Sequence, residues 1–222
     1  QRGNHKLSGA VVFALKKAAS IAEGGGHYER QPVNYLLDPP LSYIESYLAD
    51  WSVDQPMSFD IETTYSINVD EEEATDDETS GIVRASLSWR EFSGVSFPWT
   101  EPYIGLVRNV LRDAKGVVGW NFFQFDAPRL ERAGTPVHGE ILDGQWAFHF
   151  LQSDLPKALG FVAPFYTDLS PWKHLSSSEP AYYSAVDADA ALRCWNGIKA
   201  DLEQQGRWGA FERHCTRTLP LL

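Results

Sequence analysis

The chain has 222 residues, of which 43% are hydrophobic, enough for one sizeable core with room for an extension at either end. No apolar run approaches the roughly 20 residues needed to cross a bilayer, so no membrane segment and a soluble, intracellular, cytoplasmic protein are expected. Two cysteines are too few for a disulfide framework. The net charge of -11 argues at first against a nucleic-acid partner, but seven of the 30 acids fall in the nine residues 70–78, which leaves only -4 elsewhere.

A helical pattern over residues 7–22 ends at Gly24, Gly25 and Gly26, a stop followed by a linker. Prolines from Pro32 to Pro40 lead into a short helical stretch over 42–51. Strand-like alternation at 57–63 and 82–89, then a short run at 95–99, predicts three successive antiparallel strands. The acidic run 70–78 between the first two reads as a solvated hairpin insertion. Apolar residues at Ile104, Val107, Val110 and Leu111 predict a helix over 101–114, and Gly116 stops it.

Short strands are predicted at 117–120 and 140–142, and helices at 126–133, 144–151, 155–166 and 180–205. Pro128 is tolerable near a helix start. Three strands followed by helices alternating with two more give an α/β fold, a mixed five-stranded sheet flanked by helices. That order is ribonuclease H-like. The expected organisation is an N-terminal helical extension and linker over 1–50, the main domain over 51–210, and the start of a following segment over 211–222.

Three groups of residues carry chemistry. Asp60 and Glu62 stand two apart on a strand, so both side chains face the same way. Two such acids repel one another unless a cation lies between or beside them. Asp126 opens a helix shortly after a buried strand, a position that suits either a ligand contact or a simple N-cap. Tyr183 and Asp187 are four apart on one face of the long helix, the spacing of many surface pairs. None of these is specific alone; their order and separations are.

Together they resemble the three motifs of the DEDD exonuclease superfamily: Asp60 with Glu62, the stretch from Asn121 to Asp126, and Tyr183 with Asp187. The resemblance covers residues 57–202, about two thirds of the chain. Tyr183, four residues before Asp187, matches the tyrosine branch of that superfamily. The stretch Leu142-Asp143, Leu155-Pro156-Lys157-Ala158-Leu159-Gly160-Phe161-Val162 and Trp172-Lys173 resembles the proofreading domains of family A DNA polymerases of phage and bacterial type. Phe59-Asp60-Ile61-Glu62-Thr63 and the step from Asn121 to Asp126 resemble the family B pattern instead.

The resemblance implies a metal-dependent 3'-5' exonuclease that releases nucleoside 5'-monophosphates from a single-stranded or frayed 3' end of DNA. It also implies a covalently linked polymerase and two Mg2+ or Mn2+ ions. Asp60 would bridge both ions, Glu62 and Asp187 would hold the one beside the attacking water, and Asp126 would hold the other, chiefly through water. Tyr183 would orient the water. Thr63 and Asn121 are candidates for holding the terminal nucleotide; Phe122 either stacks on a base or fills the core. A stand-alone nuclease acting on RNA and a non-catalytic binding scaffold are the alternatives. Lys157 and Lys173 are read as phosphate contacts or as exposed structural lysines, and the tryptophans, Trp172 among them, as core residues.

Overall fold

The computed structural model describes residues 8–23, 31–64 and 81–217. The acidic run 70–78, the glycines at 24–26 and the residues 218–222 lie outside the described residues. The elements in chain order are α1 (Ser8–Glu23), β1 (Asn34–Leu37), α2 (Leu41–Leu48), β2 (Met57–Thr63), β3 (Ile82–Ser88), β4 (Ser93–Pro98) and α3 (Tyr103–Asp113). They continue with β5 (Gly116–Gly119), α4 (Asp126–Arg132), β6 (Glu140–Asp143), α5 (Gly144–Leu151), α6 (Leu159–Tyr166), a 3-10 turn (Lys173–Leu175), α7 (Pro180–Gln204) and α8 (Trp208–Arg217). No described helix is long and apolar enough to cross a membrane.

The strands form one six-stranded sheet in the order β1-β4-β3-β2-β5-β6. β2, β3 and β4 are antiparallel neighbours, while β5 and β6 run parallel to β2 and to each other. The five expected strands are present, and a sixth joins them. β1 pairs in parallel with β4, from Asn34 opposite Ser93 to Leu37 opposite Ser96. The segment 31–50, assigned from sequence to an extension, therefore supplies an edge strand, and α2 buries Ile44 and Tyr47 in the core. α8 is likewise a helix where none was expected, its Trp208 and Phe211 packed on Trp195 of α7.

The alternation along β2, β3 and β4 divides the sheet into two unlike faces. Met57, Phe59, Ile61, Ala85, Leu87, Val95 and Phe97 project into one core, shared with Val107, Val110 and Leu111 of α3 and Leu130 of α4. The opposite face carries Ser58, Asp60, Glu62, Ser86, Ser88, Gly94 and Ser96. The serines and Gly94 let α7 lie close against the sheet. A Cβ on Gly94 would come 2.7 Å from the carbonyl oxygen of Ala185, a distance no side chain tolerates. α7 answers with its own small residues, Ser184, Ala185, Ala188 and Ala191, all buried, and its far side packs on α5, α6 and α8 in a second core.

A polar network fastens this helix to the sheet edge. The Tyr35 hydroxyl of β1 donates to Asp189 Oδ2 at 2.7 Å, the Phe92 N–H donates to Asp189 Oδ1 at 2.8 Å, and Arg193 pairs with both Asp168 and Asp189. Arg193 and Asp189 are buried and Asp168 is largely covered, so each needs its partners to offset the loss of water. The network holds the first half of α7, where Asp187 lies, in one position relative to β1, β4 and the turn before the helix.

Candidate active site

β2 and α7 together build the site. Ser58, Asp60 and Glu62 alternate with core residues along β2, so the two acids reach the face that α7 covers. Asp187 comes down from α7 onto the same spot. Oxygen atoms of Asp60, Glu62 and Asp187 lie within 4.8 Å of one another, and Glu62 and Asp187 are only 5% and 4% exposed. Three carboxylates that close and that dry form a donor set for a hard divalent cation, which prefers oxygen ligands. The residues present fit such an ion.

Asp126 stands beside this trio rather than within it. β2 pairs with β5 only through Met57 and Ser58. Beyond that point the Ile61 N–H is taken by Asp126 Oδ1, at 3.1 Å. This bond ties the first residue of α4 to the backbone between the two strand acids. Burial pushes the Asp126 carboxyl well above the usual carboxylate range and the negative charge of Asp60 pushes it further, while the Ile61 N–H opposes both. A cation bound nearby would reverse that repulsion.

The loop from β5 to α4 is organised by a residue the sequence did not single out as functional. Asp143, fully buried at the start of α5, accepts from the backbone N–H groups of Asn121, Phe123, Gln145 and Trp146 at 3.0 to 3.4 Å. It caps α5 and at the same time holds Asn121, which sits at φ +60°. Burial pushes its carboxyl up to about 6 in spite of these four donors. An Asp between a short strand and a helical pattern is a readable N-cap signal; its second grip, on a loop twenty residues away, is not local.

Phe122 is fully buried in the core with Phe59 and Leu130. Gly119 makes room for it, since a Cβ there would meet the Phe122 ring at 2.2 Å. Of the two roles open to Phe122, its burial supports core filling and not stacking on a base. Thr63, at the end of β2, is also buried, next to a register shift between Glu62 and Thr63. Asn121 is half-buried in its loop.

Tyr182 and Tyr183 go separate ways. Tyr182 packs edge-on against Tyr35, with ring centroids 5.6 Å apart. Tyr183 turns toward Asp187, one helical turn on, and both meet Lys173: its Nζ donates to Asp187 Oδ2 at 3.0 Å and to the Tyr183 hydroxyl at 3.1 Å. The neighbouring Trp172, read from sequence as a core residue, is 4% exposed and donates its indole N–H to the other Asp187 oxygen. No spacing in the sequence could give this contact, because it depends on the loop before α7. Lys157, by contrast, donates to the carbonyls of Ser153 and Leu155, within its own loop.

No protein-family model matches the chain, and no curated protein sequence does. Solved structures do. Brucella melitensis NrnC is 15% identical with a TM-score of 0.57, over 84% of this chain and 92% of its own. It has also been solved bound to pGG. The catalytic core of RRP6 from Trypanosoma brucei is 13% identical with a TM-score of 0.60, over 86% and 55% of the two chains. Pol1 from M. smegmatis, solved with DNA primer-template and dNTP, is 12% identical with a TM-score of 0.59, over 83% and 29%. Two more are described as a nuclease, 14% identical with a TM-score of 0.59, and the Nibbler EXO domain of Aedes aegypti, 15% identical with a TM-score of 0.56. The chain has their fold. The ribonuclease H-like sheet read from the element order is thus present, with one strand more than expected.

Proposed function

We propose that this chain is a metal-dependent 3'-5' exonuclease domain of the DEDD type, with Asp60, Glu62, Asp126 and Asp187 as its ligand set and Tyr183 as their partner. The observation that carries this reading is the meeting of Asp60, Glu62 and Asp187 within 4.8 Å on the covered face of the sheet. Two Mg2+ or Mn2+ ions would supply activation of a water and neutralisation of charge on the phosphorus and leaving oxygens.

What the chain itself contributes is placement. Asp60, Glu62 and Asp187 would hold a cation from two rigid elements, a strand and a long helix. Asp126 is held by the Ile61 N–H and so keeps its distance from Asp60 constant. Tyr183 is assigned to the water through its hydroxyl, as a hydrogen-bonding group. Thr63 and Asn121 are assigned to the terminal nucleotide.

For the substrate we favour a single-stranded or frayed 3' end of DNA. The likeness to Pol1 and the polymerase-like stretch from Leu155 to Val162 support a proofreading role beside a polymerase. A second reading, removal of nucleotides from short oligonucleotides, is favoured by the likeness to NrnC and its complex with pGG.

One experiment separates these. DNA and RNA oligonucleotides of matched sequence, long and short, labelled at the 5' end, are incubated with Mg2+ or Mn2+ and with chelator. The reading expects a ladder shortening from the 3' end that chelation abolishes, and faster loss of a mismatched than of a paired primer terminus. No metal-dependent ladder on any substrate would overturn the nuclease assignment; preference for dinucleotides or for RNA would replace the proofreading one.

A further inference from the structure

Lys173 enters the site from outside the three motifs that carry its acids and tyrosine. Its ammonium lies 3.0 Å from Asp187 Oδ2, 3.1 Å from the Tyr183 hydroxyl and 5.0 Å above the Tyr183 ring. A lysine that serves only the surface extends its four-carbon stem toward water. This one is turned inward, and the fold leaves room for it: a Cβ on Gly160 of α6 would come 3.1 Å from Lys173 Cγ. With Trp172 beside it, the pair grips both oxygens of Asp187 from one short turn.

Donor and acceptor assignments at this contact are not interchangeable. An ammonium has three hydrogens to give and no lone pair to receive one. At Tyr183 the lysine must therefore be the donor and the phenol oxygen the acceptor. The phenolic hydrogen cannot go to the lysine, and the hydroxyl keeps it for another oxygen.

We propose that Lys173 is a positioning residue of this site: it fixes the Tyr183 hydroxyl against Asp187 so that the phenol presents its hydrogen to the reacting oxygen. The proposal rests on the nuclease reading and adds to it a fifth charged group of opposite sign. It acts through Tyr183, so its loss and the loss of the phenol hydroxyl must not be independent.

The test is a double-mutant cycle on the full chain with Lys173→Met, Lys173→Arg, Tyr183→Phe and the Lys173→Met/Tyr183→Phe pair. Both kcat and KM are measured on a 5'-labelled oligonucleotide with Mn2+, and Mn2+ binding is measured separately by calorimetry. Lys173→Met is expected to lower kcat about 10- to 100-fold with KM changed less than about 3-fold. The double variant should fall within about 3-fold of the slower single variant, as for two residues serving one interaction. Lys173→Arg should recover part of the loss. Mn2+ should bind Lys173→Met at least as tightly as the unaltered chain, because a positive charge beside Asp187 has gone.

Losses that multiply in the double variant would overturn the proposal, as would an unchanged or raised kcat. So would Mn2+ binding that weakens in step with activity, the signature of a merely structural lysine. If the unaltered chain cleaves nothing, the nuclease reading fails on that result. The calorimetry then still decides on the lysine, since weaker Mn2+ binding by Lys173→Met removes it from the site and tighter binding keeps it there.

Discussion

The two faces of the sheet are made by the same strands yet built to opposite rules. On one, Phe59, Leu87 and Phe97 share a core with Val107, Val110 and Leu111 of α3, and the packing is apolar and mostly bulky. On the other, serines, a glycine and two acids lie under a helix of alanines, and what matters is how near the helix can come. Volume holds the first face together; the absence of volume shapes the second. The difference teaches that the acids are not decorations on a core but occupants of a surface flattened so that α7 can deliver a third acid to them.

The sharpest way to break this comparison is at two adjacent residues. Asp60→Ala should lower nuclease activity by at least about 1000-fold, the scale expected when a metal-assisted step loses a ligand. Its thermal midpoint should hold or rise, because one of several crowded carboxylates has gone. Phe59→Ala, one residue earlier and facing the other way, should cost about 3–5 kcal/mol of stability. Its activity per folded molecule should change little. Denaturant unfolding and exonuclease assays on the two variants would show whether the faces divide the labour this way; similar losses in both properties for both variants would refute it.

A smaller effect probes the flat face alone. Gly94→Val must push α7 off β4, and it should cost about 3 kcal/mol through overpacking. If α7 delivers Asp187 as described, activity should fall as well, although Gly94 touches no ligand. Stability lost with activity per folded molecule intact would mean that the helix position does not govern the site.

The least effect expected is a pH slope. Burial raises Asp143 to about 6 in the folded chain, against about 4 for a free aspartate. The folded state therefore binds this proton more tightly. The resulting stability is full below about pH 4, declines as pH climbs toward 6, and is level above. Asp143→Asn should remove roughly 2 kcal/mol of that slope, read as the difference between its unfolding curves and those of the unaltered chain from pH 4 to 7. A parallel pH dependence in both would mean that Asp143 is not the group responsible.

How much of this was legible in the sequence depends on whether the signal was local. Alternation in Ser58-Phe59-Asp60-Ile61-Glu62 shows both faces at once, and the three antiparallel strands follow from it. The four-residue step from Tyr183 to Asp187 puts both on one side of a helix. β1 was not legible: Asn34–Leu37 is four residues between prolines, and only its pairing with β4 makes it a strand. Trp172 was legible as a core residue and Lys173 only as a phosphate contact or an exposed structural lysine; their contacts to Asp187 were not, since they are made across a loop and a turn. Asp143 announced the start of α5 but not its hold on Asn121.

β1 has a bearing on how the protein can be handled. It covers β4 with a parallel ladder and carries the tyrosine that reaches Asp189. A version begun at residue 51, where the main domain was expected to start, would leave β4 as a bare edge, with a row of backbone donors and acceptors open to another copy. Such an edge is a template for strand-to-strand aggregation. The short stretch assigned from sequence to an extension is thus what covers β4.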